Sequence, residues 1–143
     1  MIEKFRGQYG FLSNMHPCSI EYNGRHFHSS EGAYMSRKNN SKSWVDLCSN
    51  TQSGAIIKKA SHYITLVKNW DEIKLGVMED VLRIKFQIPE MKMLLLETGD
   101  LHIQEGNTWN DTFWGVDLKT GEGQNNLGIL LMKIRKELSD AQD

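Results

Sequence analysis

Between Trp70 and Phe86 the apolar residues Trp70, Ile73, Val77, Val81 and Ile84 recur at helical spacing, and Met78, Leu82 and Phe86 widen the same face. This period predicts an amphipathic core helix. A second stripe, Leu127, Leu130, Leu131, Ile134 and Leu138, predicts a final helix from about Gln124. Pro89 suits a helix start and Gly99 a stop, so Met91, Met93, Leu94, Leu95 and Leu96 read as a helix between them. Shorter helices are expected over 43–50 and 53–63, parted by a Ser/Asn/Thr break. The pattern changes over 18–28, where two alternating runs flank Asn23-Gly24, the dipeptide of a type I′ hairpin turn. Leu101 to Gln104 is expected as a short strand. Ser29-Ser30-Glu31 follows the hairpin as a helix N-cap signature, placing Glu31 in a first helical turn. The fold class expected is α+β: a single compact, mostly helical domain over 1–143 with a small antiparallel β part.

Composition narrows the function classes. With 17 basic and 18 acidic residues the formal charge is −1, so no overall basic field exists to drive nonspecific nucleic-acid binding. Any polyanion contact is local. Cys18 and Cys48 lack metal-ligand spacing and read as reduced, buried spectators of a cytoplasmic protein. His16, His26, His28, His62 and His102 show no ligand spacing either, so no metal site and no cofactor are expected. No signal-length apolar run opens the chain, and no stretch approaches about 18 consecutive apolar residues. No membrane partner is therefore expected.

Chemistry concentrates near the C-terminus. Asn110-Asp111-Thr112-Phe113-Trp114-Gly115 is followed by Gly121-Glu122-Gly123-Gln124-Asn125-Asn126-Leu127-Gly128 and the last helix. Glycines before a helix allow positive φ and close backbone approach, and a helix entrance presents unpaired N–H groups and a positive dipole end. This predicts an anion site, such as one for phosphate, although a turn before a helix also uses glycine for local reasons.

Several segments, in order, resemble one family. They are Phe11-Leu12-Ser13-Asn14; Ser30-Glu31-Gly32-Ala33-Tyr34 with Lys38; Lys68-Asn69-Trp70; Asp111 with Trp114-Gly115; and Gly121, Gly123, Asn125, Leu127, Gly128, Leu131, Met132 and Arg135. Spanning about Phe5 to Leu138, they resemble the NADAR superfamily, the YbiA-like N-glycosidases. The resemblance implies a pocket for a ribosyl-phosphate or ADP-ribosyl ligand, and hydrolysis of the bond between ribose and a base-like amine. Its substrates would be riboflavin-pathway pyrimidine intermediates or ADP-ribosylated nucleobases such as guanine, the latter including ADP-ribosylated nucleic acid as a partner. Two departures point to an altered pocket. Gly32 stands where the family often has His, and Met35 where Gln is common. A non-catalytic ADP-ribose or NAD sensor is the alternative.

For that reaction the sequence offers three acids. Glu31 or Asp111 is expected to activate water or stabilise the oxocarbenium ion, and Glu105 to donate a proton. No Ser-His-Asp or Cys-His signature is evident, which favours direct attack by water. Trp70, Trp109 and Trp114 are candidates for stacking on the base, Trp114 with its neighbour Gly115 being preferred; Trp44 reads as core. Phe11 and Tyr34 would line the ribose or base, and Ser13 and Asn14 would meet ribose hydroxyls or form a turn. The phosphate is expected on Gly121, Gly123 and Asn125, assisted by Lys38 or Arg6.

Overall fold

Asn23 and Gly24 both take positive φ, 51° and 73°, which closes the predicted hairpin turn between β1 (Pro17–Tyr22) and β2 (Arg25–Ser29). The strands pair antiparallel with Ile20 opposite Phe27 and Glu21 opposite His26, and an irregularity between Pro17 and Ile20 bends β1. The computed structural model describes residues 1–142. Their contacts divide the chain into two compact units, one of Met1–Ser13 with the chain from Pro89 onward, the other of Asn14–Ile88.

The second unit holds the hairpin, α1 (Ser30–Met35), α2 (Lys42–Asn50), α3 (Gly54–Ala60) and α4 (Trp70–Lys85). Serine caps start three of these helices: Ser29, Ser41 and Ser53 accept from the N–H groups of Gly32, Trp44 and Ile56. Asp71 and Glu72 occupy the first turn of α4 and Arg83 and Lys85 its last, matching the helix dipole. The predicted face of α4 is buried at Trp70, Val77, Met78, Val81 and Leu82, and α4 packs on β1. Central to the unit is α1, which packs against both strands and against α2, α3 and α4, so that all six of its residues are buried. A helix enclosed this way needs small residues where neighbours approach. Gly32 and Ala33 supply them.

The first unit holds α5 (Pro89–Glu97), α6 (Asn126–Asp140), a 3₁₀ turn over Gly7–Leu12, and the strand pair β3 (Gly106–Asn107) and β4 (Val116–Asp117). The α6 stripe is buried at Leu127, Leu130, Leu131, Ile134 and Leu138, and α5 packs against α6. Here one expectation is corrected. Leu101 to Gln104 is not a strand: Ile103 makes a single bridge to Ile2, with Ile2 N–H donating to His102 C=O and Gln104 N–H to Ile2 C=O. Among the described residues its bridge partner is one N-terminal residue, too short for a ladder. The true pairing beyond the hairpin is the two-residue parallel β3–β4. The mostly helical α+β class with an antiparallel hairpin holds.

Lys85, in the last turn of α4, is 0% exposed, with its ammonium 5.2 Å from the Phe86 ring centre. Burial pushes its pKa down from 10.5 to about 8, against a smaller opposing effect of the Cys18 thiol. Below about pH 8 both folded and unfolded chains carry the proton and the folded state bears the full desolvation cost. Between that pH and 10.5 the unfolded chain binds more protons, so stability rises with pH. Urea titrations are expected to show wild type gaining about 2–3 kcal/mol relative to Lys85→Met between pH 7 and pH 10.5. Parallel pH profiles for the two proteins would overturn this.

Candidate active site

In the second unit a carboxylate is held inside the fold. Glu31 is 6% exposed. Its backbone N–H donates to Asn14 C=O at 2.9 Å, and the Ser30 hydroxyl donates to Asn14 Oδ1 at 2.9 Å, while the Asn14 amide faces Met78 Sδ at 3.5 Å. Asn14 is thus a staple on the start of α1. On the other side, a Cβ placed on Gly54 would lie 3.0 Å from Glu31 Cβ and 2.8 Å from Met15 Sδ. Glycine at 54 is what lets α3 close on the acid. Only the Ser53-Gly54 pair, a cap followed by a residue without a side chain, signalled it.

Lys38, one turn beyond Tyr34, places its ammonium 5.9 Å from the ring centres of both Tyr34 and Trp70, and these rings are 5.2 Å apart and tilted by 59°. Burial lowers the Lys38 pKa, and the Glu31 carboxylate partly restores it. Glu31, Tyr34, Lys38 and Trp70 therefore form one cluster. Burial, with a smaller contribution from Glu31, pushes the Cys48 thiol up to about 12, so it stays protonated at neutral pH and supplies no thiolate nucleophile. Gly32, where a His was expected from the family, faces Cys48 C=O and Ile57 Cδ1, each 3.4 Å from where its Cβ would stand. A methyl group just fits there, and an imidazole would have to displace α2 or α3. Met35 is buried, and its carbonyl accepts from the Trp44 indole at 2.8 Å.

In the first unit the C-terminal acids meet through a residue that the sequence reading passed over. Asn107, 1% exposed, donates from Nδ2 to Glu105 Oε2 and to Asp111 C=O, both at 2.9 Å, and accepts from Asp111 N–H at 3.0 Å. Its place between the two acids was the only clue. Asp111 Oδ1 accepts from Phe113 N–H at 3.2 Å and Trp114 N–H at 2.9 Å, closing an Asx turn. Gly115 lies so close to Glu105 that a Cβ would fall 1.8 Å from its Oε2. Trp114 is half-buried and meets Phe113 edge-on at 4.9 Å, while Trp109 is exposed.

In the Gly-rich run, several of the donors expected for a phosphate are used within the fold. Gly121 N–H donates to Asp117 C=O at 2.8 Å, and Asn125 N–H to Gly115 C=O at 3.2 Å. The Asn125 side chain is also committed, donating to Ile103 C=O and accepting from Glu105 N–H, each at 2.9 Å. Asn126 and Leu127, the first residues of α6, give their N–H groups to the carbonyls of Phe113 and Trp114. The helix entrance is capped by the chain itself, and of the residues assigned to an anion Gly121 and Asn125 give their N–H groups to backbone carbonyls. Gly123, with φ 147°, lets the loop pass within contact of Gly115 C=O, where a Cβ would fall 2.2 Å away. Phe11 is buried in the 3₁₀ turn, Ser13 caps its end, and Arg6 is exposed at its start.

The chain is similar in sequence and in fold to known proteins. The NADAR domain model matches residues 3–139. N-glycosidase YbiA of Shigella sonnei is 33% identical over 134 residues, covering 92% of this chain and 82% of the relative. Riboflavin biosynthesis protein VVA0006 of Vibrio vulnificus is 33% identical over 135 residues, but the chain spans only 36% of that longer protein. The NMR structure of the Escherichia coli protein YbiA matches with a TM-score of 0.85 and 29% identity, covering 99% of this chain and 89% of that one. Fold and sequence together define an α+β protein of the N-glycosidase class. Within that class, the chain belongs to the NADAR domain family.

The Asx turn separates the two uses of Asp111. Asp111→Ala removes the acceptor of two N–H groups and is expected to cost about 1–3 kcal/mol in urea unfolding, whereas Asp111→Asn keeps an acceptor oxygen and costs less than about 1 kcal/mol. Equal losses in the two variants would show that the carboxylate charge, not the turn, is what the loop requires.

Proposed function

We propose that the chain hydrolyses the C–N bond between a phosphoribosyl or ADP-ribosyl group and a base-like amine, such as a riboflavin-pathway pyrimidine intermediate or ADP-ribosylated guanine. The observation that carries this is the buried Glu31 carboxylate beside an ammonium suspended over two aromatic rings. The relatives named N-glycosidase and riboflavin biosynthesis protein support the same chemistry. Such a substrate belongs to intracellular metabolism, which makes the cytoplasm the setting of this reading.

The reaction breaks the anomeric C–N bond, adds the oxygen of water to that carbon, and returns a proton to the departing amine. Positive charge grows on the ribose ring as the bond lengthens. An ionised Glu31 stabilises that charge or takes a proton from the attacking water, and it acts with most force where little bulk water screens it. The rings of Tyr34 and Trp70 offer apolar faces to the sugar or base, and Lys38 balances the acid and meets an anionic substituent. Glu105 is hydrogen-bonded to Asn107, and Asp111 holds its loop.

Product release from a phosphoribosylamino-pyrimidine and from ADP-ribosylated guanine tests the assignment. Glu31→Gln is expected to lower kcat/KM by more than about 100-fold, about 3 kcal/mol of transition-state stabilisation, with ligand binding retained. Asp111→Asn is expected to keep activity within about tenfold of wild type. Turnover by Glu31→Gln equal to wild type would remove the acid from the chemistry, and ligand binding by wild type without turnover of either substrate would leave a sensor.

A further inference from the structure

Between residues 91 and 96, α5 carries five apolar side chains, more than a single face of a helix can present to a core. Met91 and Leu95 are buried where α5 packs on α6 and on the 3₁₀ turn of Gly7–Leu12. A second apolar stripe lies away from that face. Met93 is 54% exposed and Leu96 half-buried, and with Pro89, Lys92, Glu97 and Gln142 they line an open hollow of about 410 Å³. Burying a Met or Leu side chain is worth about 1.5–3 kcal/mol, which this stripe leaves largely unrealised within the chain.

The charges that flank the stripe say what fits it. Lys92, Met93, Leu96 and Glu97 stand at the spacing of positions g, a, d and e of a heptad, and Pro89 takes the preceding d. In a parallel pair of helices the a and d residues form the seam, while g of one helix meets e of the other, five residues further on. Lys92 and Glu97 have that separation and opposite signs, so the face is complementary to itself. A two-fold axis running along α5 brings each Lys92 to Glu97 of the other copy, and Met93 and Leu96 to their own counterparts. An antiparallel pair would instead set the Lys92 edges together and the Glu97 edges together. Within the chain the two charges are uncommitted: their neighbours three and four residues away on α5 are Pro89, Leu95 and Leu96 for Lys92, and Met93 and Leu94 for Glu97, and among the described residues neither forms an ion pair.

We propose that α5 is the surface through which two copies of this chain associate in parallel, with Met93 and Leu96 in the seam and a Lys92–Glu97 pair at each edge. The hydrolase reading has no part in it. A helix of nine residues is about 13 Å long, so the contact belongs to the weak, transient class of interface. Its exposed ion pairs fix register and orientation more than affinity.

Sedimentation equilibrium on the full chain, from about 10 µM to about 1 mM, tests it. Wild type is expected to show a reversible monomer–dimer equilibrium in that range. Lys92→Glu and Glu97→Lys each put like charges at both edges and are expected to weaken dimerisation by about tenfold. An equimolar mixture of the two variants, and the double variant Lys92→Glu/Glu97→Lys, restore opposite charges and are expected to recover wild-type association to within about threefold. Lys119→Glu, an exposed lysine of the same unit, makes the same change of charge away from α5 and leaves dimerisation unchanged. Thermal melts confirm that each variant folds. A wild type that stays monomeric at about 1 mM, single variants that associate like wild type, a mixture that recovers nothing, or an equal loss in Lys119→Glu overturns the α5 contact.

Discussion

Burying the Glu31 carboxylate is the constraint around which the second unit is arranged. A charge taken out of water is costly unless a counter-charge and hydrogen bonds accompany it. Lys38 is the nearby cation, and the aromatic rings of Tyr34 and Trp70 keep it in place. Asn14 and Ser30 satisfy the start of α1, and Gly54 gives up its side chain so that α3 approaches the acid. Even Cys48, with no part in the chemistry, registers the carboxylate through its raised pKa. The small residues of α1 follow from the same enclosure: a helix surrounded by two strands and three helices has room for Gly32 and Ala33 and none for an imidazole.

Local chemistry made much of this legible in the sequence. Asn23-Gly24 specified a turn because few other residues accept positive φ twice in succession, and Ser29 specified a helix start because its hydroxyl caps an N–H three residues on. The apolar period located the buried face of α6 and most of that of α4, where Ile73 and Ile84 are only half-buried and Lys85 is buried as well. Glu31 and Lys38 were legible as a pair only through the ordered family motifs. What the pattern did not carry was the destination of backbone hydrogen bonds. Gly121 and Asn125 look the same whether their N–H groups wait for an anion or bind Asp117 and Gly115, and the folded path of 111–117 decides between them. The strand expected at 101–104 failed for a related reason, because its partner is a single residue about a hundred positions away.

The C-terminal loop therefore has a different character from the one its composition suggests. Asn107 and Asn125 each use both ends of an amide to tie backbone to backbone, Asp111 closes a turn, and Gly115 and Gly123 let strands of chain pass where a methyl group has no room. Gly-rich motifs at helix entrances serve two ends, close packing or ligand approach, and here the packing is visible in the contacts.

A crystal structure of the Glu31→Gln variant with ADP-ribose puts the central claim to its most direct test. The anomeric carbon is expected beside residue 31, with the sugar or base against the rings of Tyr34 and Trp70. A ribose lying away from residue 31 would contradict it.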